Sequence, residues 1–252
     1  MRRHGATLMM ALLMGCGAVI AAHAEAGGHA GSISVGTFSR ASPGGPLPEG
    51  WRPLSVPSVS NHTSYSLVND AGITVLRAQS TAAASSLAYA ARVDPKQFPL
   101  LEWRWKVNSL VRSGNIFTKA GDDYAARIYV FFDYDIDRLP FAQRVKIRMA
   151  RLIYGQDLPV AALCYVWDNR APIGTSVWSA YTDRVRMIVV ESGDARLNEW
   201  IGEWRNVWED YKAAFGEDPP AISGIAVGAD TDNTGESTLS FFGDLSFSAP
   251  GR

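Results

Sequence analysis

Alternation of apolar and polar residues is the dominant pattern along this chain, and it predicts β-strands. The clearest example is 101–107, where Leu101, Trp103 and Trp105 alternate with charged residues. Because successive side chains of a strand point to opposite faces, each such segment has one face suited to a core. Strands are predicted at 33–38, 65–68, 73–77, 86–93, 101–107, 124–134, 161–167, 184–190, 222–227 and 239–247.

Two segments follow a helical period instead. In 139–154, apolar residues recur every three to four positions among arginines and lysines, and Gly155 is placed to end the helix. In 195–215 the apolar stripe is rich in tryptophan, and Asp194 is the predicted N-cap. Many strands with long excursions between them predict a mostly β protein, a two-sheet sandwich resembling a jelly roll, with these two helices added.

The N-terminus predicts export. Residues 1–24 combine two early arginines, an apolar stretch and a small-residue cleavage site ending at Ala24, which is the pattern of a signal peptide. A lipid anchor at Cys16 is the alternative that we consider less favoured. Residues 25–32 are predicted to be a flexible lead-in and 33–248 a single domain, located in the periplasm or outside the cell.

Composition excludes several classes of function. The formal net charge is −1, and no basic run with interleaved aromatic residues is present, so nucleic-acid binding is not expected. No segment outside the leader is apolar enough to predict a transmembrane span.

After cleavage Cys164 would be the only cysteine, which rules out an internal disulfide and favours a buried apolar role for this residue. Of the histidines, only His29 and His62 would remain, which disfavours a catalytic triad or a histidine-rich metal site.

One predicted sheet face carries aromatic and cationic residues where a plain sandwich would carry small polar ones. Aromatic rings cover the apolar faces of sugars, and guanidinium groups bind hydroxyls or carboxylates, so the excess of arginine favours an acidic ligand. The alternative is an internal network of Asp–Arg pairs. The predicted ligand-binding residues are Arg127, Tyr129, Tyr165, Trp167, Arg184 and Arg186.

The segment Asp230-Thr-Asp-Asn-Thr-Gly235 spaces oxygen ligands in the manner of a calcium loop. Asp230, Asp232 and Asn233 are therefore the candidate ligands of one structural calcium. The segment is not an EF-hand, because no glutamate stands at the twelfth position. An Asx-rich tight turn, in which these side chains bond their own backbone, is the alternative.

The adjacent carboxylates Asp122 and Asp123 are the candidate catalytic residues. A pair of carboxylates can hydrolyse a glycosidic bond. Neighbouring residues of a strand point to opposite faces, however, which favours a structural role in a turn that leads into a strand.

Several motifs in one order resemble the domain-of-unknown-function 3047 family over about residues 33 to 248. Ser179 departs from the family pattern, which has Asn before Ala-Tyr-Thr-Asp. The resemblance implies one exported domain and supplies no catalytic residue. The motifs are Gly121-Asp-Asp-Tyr-Ala-Ala-Arg127, Leu163-Cys-Tyr-Val-Trp-Asp168, Ala180-Tyr-Thr-Asp-Arg-Val-Arg-Met-Ile-Val-Val190, Asp230-Thr-Asp-Asn-Thr-Gly235 and Phe242-Gly-Asp244.

The sequence thus favours non-catalytic binding of a carbohydrate or another polyhydroxylated, acidic ligand at the cell envelope. Two alternatives stay open: a polysaccharide hydrolase or lyase, and an envelope protein that uses the same face for a protein partner or for a structural role.

Overall fold

The computed structural model describes residues 31–55, 59–154 and 160–250. The predicted signal peptide, Cys16, most of the predicted lead-in and Gly155 lie outside the described residues. The strands and helices are β1 Ser32–Gly36, β2 Trp51–Leu54, β3 Ser64–Asp70, β4 Ile73–Thr81, β5 Ala84–Val93, β6 Leu100–Val107, β7 Ala126–Phe132, α1 Phe141–Tyr154, β8 Ala161–Asp168, β9 Ser176–Ser179, β10 Thr182–Ser192, β11 Ile201–Asn206, α2 Val207–Phe215, β12 Ile222–Asp230 and β13 Ser237–Ser248.

The strands form two sheets. A six-stranded sheet has the order β11-β6-β13-β4-β3, with β1 also paired to β13, and a seven-stranded sheet has the order β2-β5-β12-β7-β8-β10-β9. Neighbouring strands are antiparallel except for β8 and β10, which are parallel. The predicted two-sheet, jelly-roll-like β-sandwich is therefore confirmed.

A layer of large aromatic side chains fills the space between the sheets. Trp103 of the six-stranded sheet stacks on Tyr165 of the seven-stranded sheet, with ring centroids 5.4 Å apart. Trp105 likewise packs on Trp167 at 6.0 Å. All four residues are buried in the main core. Rings of this size bury large apolar areas, so their interdigitation contributes strongly to holding the sheets together.

The second predicted helix is present, but its predicted first half is wrong. Residues 201–206 form β11, an edge strand paired with β6, and α2 begins only at Val207. The Asn206 side chain accepts a hydrogen bond from the Glu209 amide and caps the helix, so Asp194 is not the N-cap. The tryptophan spacing suits a helix, but pairing with β6 gives the backbone groups of this segment a strand partner, and this tertiary contact overrides the local pattern.

Helix α1 lies within the predicted 139–154 segment. Its Arg144 and Arg148 both pair with Asp137, at 3.6 and 3.3 Å, in the turn that precedes the helix. Among the described residues, no helix is both long and apolar enough to cross a membrane.

We expect Trp105→Ala to lower the free energy of unfolding by about 3–5 kcal/mol, because it opens a cavity in the aromatic layer. The matched control is Trp204→Ala, since Trp204 is 69% exposed on the adjacent edge strand. The control should cost about 0.5 kcal/mol or less. Urea denaturation of both variants tests this, and equal losses would contradict the packing described above.

Candidate functional site

Strand β7 has one face in the core and one face on the outside of the sandwich. Ile128 and Val130 are fully buried between the sheets, as the sequence predicted. Arg127, Tyr129 and Phe131 alternate with them and therefore lie on the opposite side, which we call the outer face of the seven-stranded sheet. Residues from β12 and from two loops join them there and form the candidate site.

A buried ion pair between Arg127 and Asp230 is the centre of this site. The Arg127 guanidinium contacts the Asp230 carboxylate directly, and both side chains are almost wholly buried. The guanidinium carbon also lies 5.8 Å from the ring centre of Tyr124 and 5.2 Å from that of Tyr129. The Nε–H of Arg127 is buried without a hydrogen-bond partner. The arginine is thus held rigidly, and one of its donors is left unsatisfied.

Asp123 organises the loop that follows β12. It accepts hydrogen bonds from the backbone amide of Thr234 at 2.6 Å and from the Asn233 amide nitrogens, backbone and side chain, at 3.2 and 3.1 Å. Because both of its oxygens are engaged and it is buried, Asp123 positions the loop. The adjacent Asp122 differs, because it is only half-buried and accepts a hydrogen bond from the Tyr124 hydroxyl at 3.1 Å. Burial raises the pKa of Asp122, and the Arg127 charge opposes this shift.

Three carboxylates converge beside the ion pair. One oxygen from each of Asp123, Asp230 and Asp232 lies within 4.8 Å of the others. Burial raises the pKa values of Asp230 and Asp232, and the neighbouring aspartates raise them further. Asn233, a predicted calcium ligand, instead turns its side-chain nitrogen toward Asp123, and its oxygen accepts from the Tyr181 hydroxyl at 3.1 Å. Asp123 therefore takes the place in the oxygen cluster that the sequence assigned to Asn233.

Two parallel rings stand next to Arg127 on the outer face. Tyr129 and Phe131 are half-buried, with ring centroids 5.7 Å apart and an interplanar angle of 17°. The residues beside them on β12 and β5 are all small. Their identities follow from the strand register: Gly224, Ala226 and Gly228 on β12, and Ala90, Ala88 and Ser86 on β5. Since strands lie about 4.8 Å apart, the ring pair borders a low floor two strands wide.

The other side of the ring pair is covered. Cys164 and Val166 of β8, with Met187 and Val189 of β10, pack against Ile116 and other loop residues in a second apolar cluster. Cys164 is fully buried, as expected for a small apolar residue, and burial raises its pKa. Met187 and Val189 therefore lie on the outer face beneath these loops and not in the main core.

Tyr165 and Trp167 do not belong to the site, which corrects the predicted ligand-binding set. Tyr165 pairs with Ile128 in the strand register and shares its inward orientation, whereas Cys164 is the neighbour of Tyr129. Both aromatic residues are buried in the core against β6. The Trp167 indole donates to the Gly193 carbonyl at 3.0 Å, which satisfies its only polar group. Neither ring can contact a ligand on the outer face.

Arg184 and Arg186 are also separated from Arg127. They alternate with the outward Val185 and Met187 along β10, so they lie on the inner side, at the edge that α2 covers. The structure therefore divides the six predicted residues between two faces. It adds Tyr124 and Phe131 to the outer face. The orientation of Phe131 could have been predicted from the sequence, because this residue alternates in step with Arg127 and Tyr129 along the strand.

A family profile described as "Protein of unknown function (DUF3047)" matches residues 49–246. No functionally curated protein matched the chain.

Solved structures give similarity in architecture only. A meso-active thermostable cellulase derived from Cel12A of Rhodothermus marinus is 14% identical, with a TM-score of 0.40 and coverage of 77% of this chain and 95% of that chain. Endoglucanase 3 of Trichoderma harzianum, from family GH12, is 8% identical, with a TM-score of 0.40 and coverage of 80% and 95%. The cellulose induced protein Cip1 is 12% identical, with a TM-score of 0.32 and coverage of 79% and 90%. Similarity at this level assigns no activity to the chain.

We expect Asp230→Asn to destabilise the protein by about 3–5 kcal/mol, because it leaves the buried Arg127 charge without a partner. The matched control is Asp232→Asn, which removes a carboxylate of the same cluster that forms no ion pair. Since the pKa of Asp232 is raised, losing its charge should leave stability unchanged or increase it. Chemical denaturation at neutral pH measures both; equal destabilisation would contradict the assigned pairing.

Proposed function

Because the chain belongs to the DUF3047 family of proteins of unknown function, its role has to be inferred from its own residues, and we propose that it binds a carbohydrate or another polyhydroxylated ligand on the outer face of the seven-stranded sheet. The observation that carries this proposal is the partly buried ring pair of Tyr129 and Phe131 beside a floor of small residues and a fixed arginine. We further propose, from the leader sequence, that binding takes place outside the cytoplasm.

The ring pair supplies the apolar part of such a site. The C–H groups of a sugar ring pack on the face of an aromatic side chain, and two nearly parallel rings extend this contact surface. Small residues on β12 leave the space next to the rings free of side chains. At Gly228 even a Cβ would come within 2.6 Å of Ser86 Oγ, so this part of the floor is already closely packed.

The polar part lies at the end of the ring pair. Arg127 has an unpartnered Nε–H. Asp122 has a half-buried carboxyl group that can accept a hydrogen bond from a ligand hydroxyl. A hydroxyl group can accept from the first and donate to the second, which suits a polyhydroxylated ligand. An unpaired buried donor costs about 1–3 kcal/mol, and a bound hydroxyl would remove that cost.

Tyr129→Ala should weaken binding of the glycan that the purified wild-type protein selects in a screen of neutral and acidic glycans. The reason is that this substitution removes the ring closest to Arg127. We expect affinity to fall by about tenfold or more, since a stacked ring contributes about 0.5–1.5 kcal/mol beyond its buried area. Titration calorimetry with the best glycan from the screen measures the change.

The control for that experiment is Trp204→Ala, which removes an exposed ring from the other sheet. It should leave affinity unchanged. A glycan that binds wild type and Tyr129→Ala equally, or loses binding only in the control, would place the ligand elsewhere. No binding to any glycan would favour a protein partner for this face.

A second candidate function is cleavage of a polysaccharide by a hydrolase or lyase reaction, which the half-buried Asp122 favours. Burial raises its pKa, as in a carboxyl group that serves as a general acid. Asp123 is unsuited to that role because the loop amides hold both of its oxygens. Turnover of a bound glycan that is lost in Asp122→Asn, while binding persists, would support this function.

We also propose that a divalent cation such as calcium occupies the Asp123, Asp230 and Asp232 cluster. The donor set is all oxygen, and within the described residues the Asp232 carboxylate accepts only a long hydrogen bond, 3.5 Å from the Asn233 side-chain nitrogen. With Asp122 included, four carboxylates face one arginine, so a cation would offset the excess negative charge. Calcium binds six to eight oxygens, and water would supply the remainder.

Added calcium should raise the melting temperature at pH 7.5 and have little effect near pH 4.5. The raised pKa of Asp232 stabilises the folded state only while that carboxyl group is protonated, and this contribution disappears as the pH rises through the folded pKa. The cation would replace the protons at high pH. Asp232→Asn should weaken the response. A melting curve that neither chelator nor excess calcium moves would refute the site.

A further inference from the structure

We infer that a second site, between β10 and α2, binds a small ligand through an oxyanion, either a carboxylate or a phosphate group. It lies on the inner side of the seven-stranded sheet and is independent of the outer-face site. Its core is formed by Arg184, Tyr211, Tyr134 and Phe215, with Arg186 and Trp178 beside it.

Arg184 is held between two aromatic rings. Its guanidinium carbon lies 4.4 Å from the ring centre of Tyr134 and 5.1 Å from that of Phe215. Its Nε donates to the Val160 carbonyl at 3.1 Å. The two rings and this hydrogen bond fix the plane of the guanidinium group, so the direction of its remaining donors is fixed as well.

The charge of Arg184 is not neutralised within the described part of the chain. No ion pair there includes Arg184 or Arg186. The nearby Glu217 is engaged by Arg138 at 2.9 Å. The Nη2 of Arg184 is buried and has no hydrogen-bond partner. Arginine stays protonated in proteins, so a half-buried guanidinium without a counter-charge is an arrangement that an anion would stabilise.

A second buried polar group in the same region also lacks a partner. The hydroxyl of Tyr211 is wholly buried and forms no hydrogen bond. Its ring stacks on Phe215 at 4.3 Å, which is the ring that also covers Arg184. Burial raises the pKa of Tyr211, and the Arg184 charge opposes the shift, so the hydroxyl stays protonated and can donate.

Arg186 extends the positive charge toward the surface. Its guanidinium carbon lies 5.0 Å from the ring centre of Trp178, and it donates to the side-chain and backbone oxygens of Ser176, both at 2.8 Å. Trp178 in turn meets Phe215 edge to face, with centroids 5.3 Å apart. The two unpaired arginines therefore flank one aromatic wall.

The chemistry of these groups selects an oxyanion. Arg184 Nη2 and the Tyr211 hydroxyl are both unpartnered donors, so a ligand group that reached both would have to accept two hydrogen bonds, and the Arg184 charge favours a negative one. A carboxylate or a phosphate does so, and a neutral hydroxyl does not supply the charge. The aromatic walls would cover the apolar part of such a ligand.

Titration calorimetry with D-glucuronate, D-glucose and inorganic phosphate tests this site. Glucuronate should bind the wild-type protein, and glucose, which shares the ring but lacks the charge, should not. Binding of phosphate as well would identify a general oxyanion site, and its absence would identify a carboxylate site. We expect Arg184→Gln to weaken glucuronate binding about tenfold or more, because a charged hydrogen bond is lost.

Tyr211→Phe keeps the test decisive if Arg184→Gln folds poorly. It removes only an unpartnered hydroxyl, so the melting temperature of the ligand-free protein should not fall, whereas glucuronate affinity should.

Arg92→Gln is the control for net charge, since Arg92 is exposed on the other side of the sheet and pairs only loosely with Asp133 at 3.8 Å. Tyr129→Ala should retain glucuronate binding, which separates this site from the outer face. Absence of anion binding by wild type, or unchanged binding by Arg184→Gln, would overturn the inference.

Discussion

The packing of Trp103 and Trp105 against Tyr165 and Trp167 is the contact on which the arrangement of the molecule depends. These four residues set which side of β6 and β8 faces inward. Side chains alternate along a strand, and neighbouring strands are locked in register, so this choice determines which residues of β7 face outward. A shift of one residue would turn Arg127 into the core and Ile128 out to solvent. The outer-face site thus follows from an interaction on the opposite side of the same sheet.

The Arg127–Asp230 ion pair organises the loops around the outer-face site. It links β7 to the end of β12, and the Asp230 carboxylate also accepts from the Tyr124 amide at 3.1 Å. Asp123, one residue before Tyr124, then holds the turn after β12 through the amides of Asn233 and Thr234. Two loops distant in the sequence are therefore joined by carboxylates that are largely shielded from water. Buried ion pairs contribute little net stability, which favours positioning as the role of this pair.

The sequence identifies a strand more readily than the direction in which its side chains point. In β7, Arg127 and Tyr129 alternate with Ile128 and Val130, so polar residues mark one face and the core residues mark the other. In β8 all eight residues are buried, because the other sheet covers one side and loops cover the other. Because both faces of β8 are apolar, no alternation of polar and apolar residues distinguishes them. Tyr165 was consequently assigned to the wrong face. The contact between Asp123 and Asn233 joins residues 110 positions apart and depends on the fold as a whole. No local motif reveals it.

The two arginine environments in this sandwich differ in a way that bears on function. Arg127 has a carboxylate partner, and its burial is explained by that pair together with two tyrosine rings. Arg184 lies over two rings, but no carboxylate among the described residues pairs with it, and the adjacent Tyr211 hydroxyl is unpartnered as well. A network that served only stability would be expected to satisfy these donors, since an unpaired buried polar group costs about 1–3 kcal/mol. Proteins retain such costs mainly at functional sites. The unpartnered donors between β10 and α2 are therefore the groups that the proposed oxyanion ligand would satisfy.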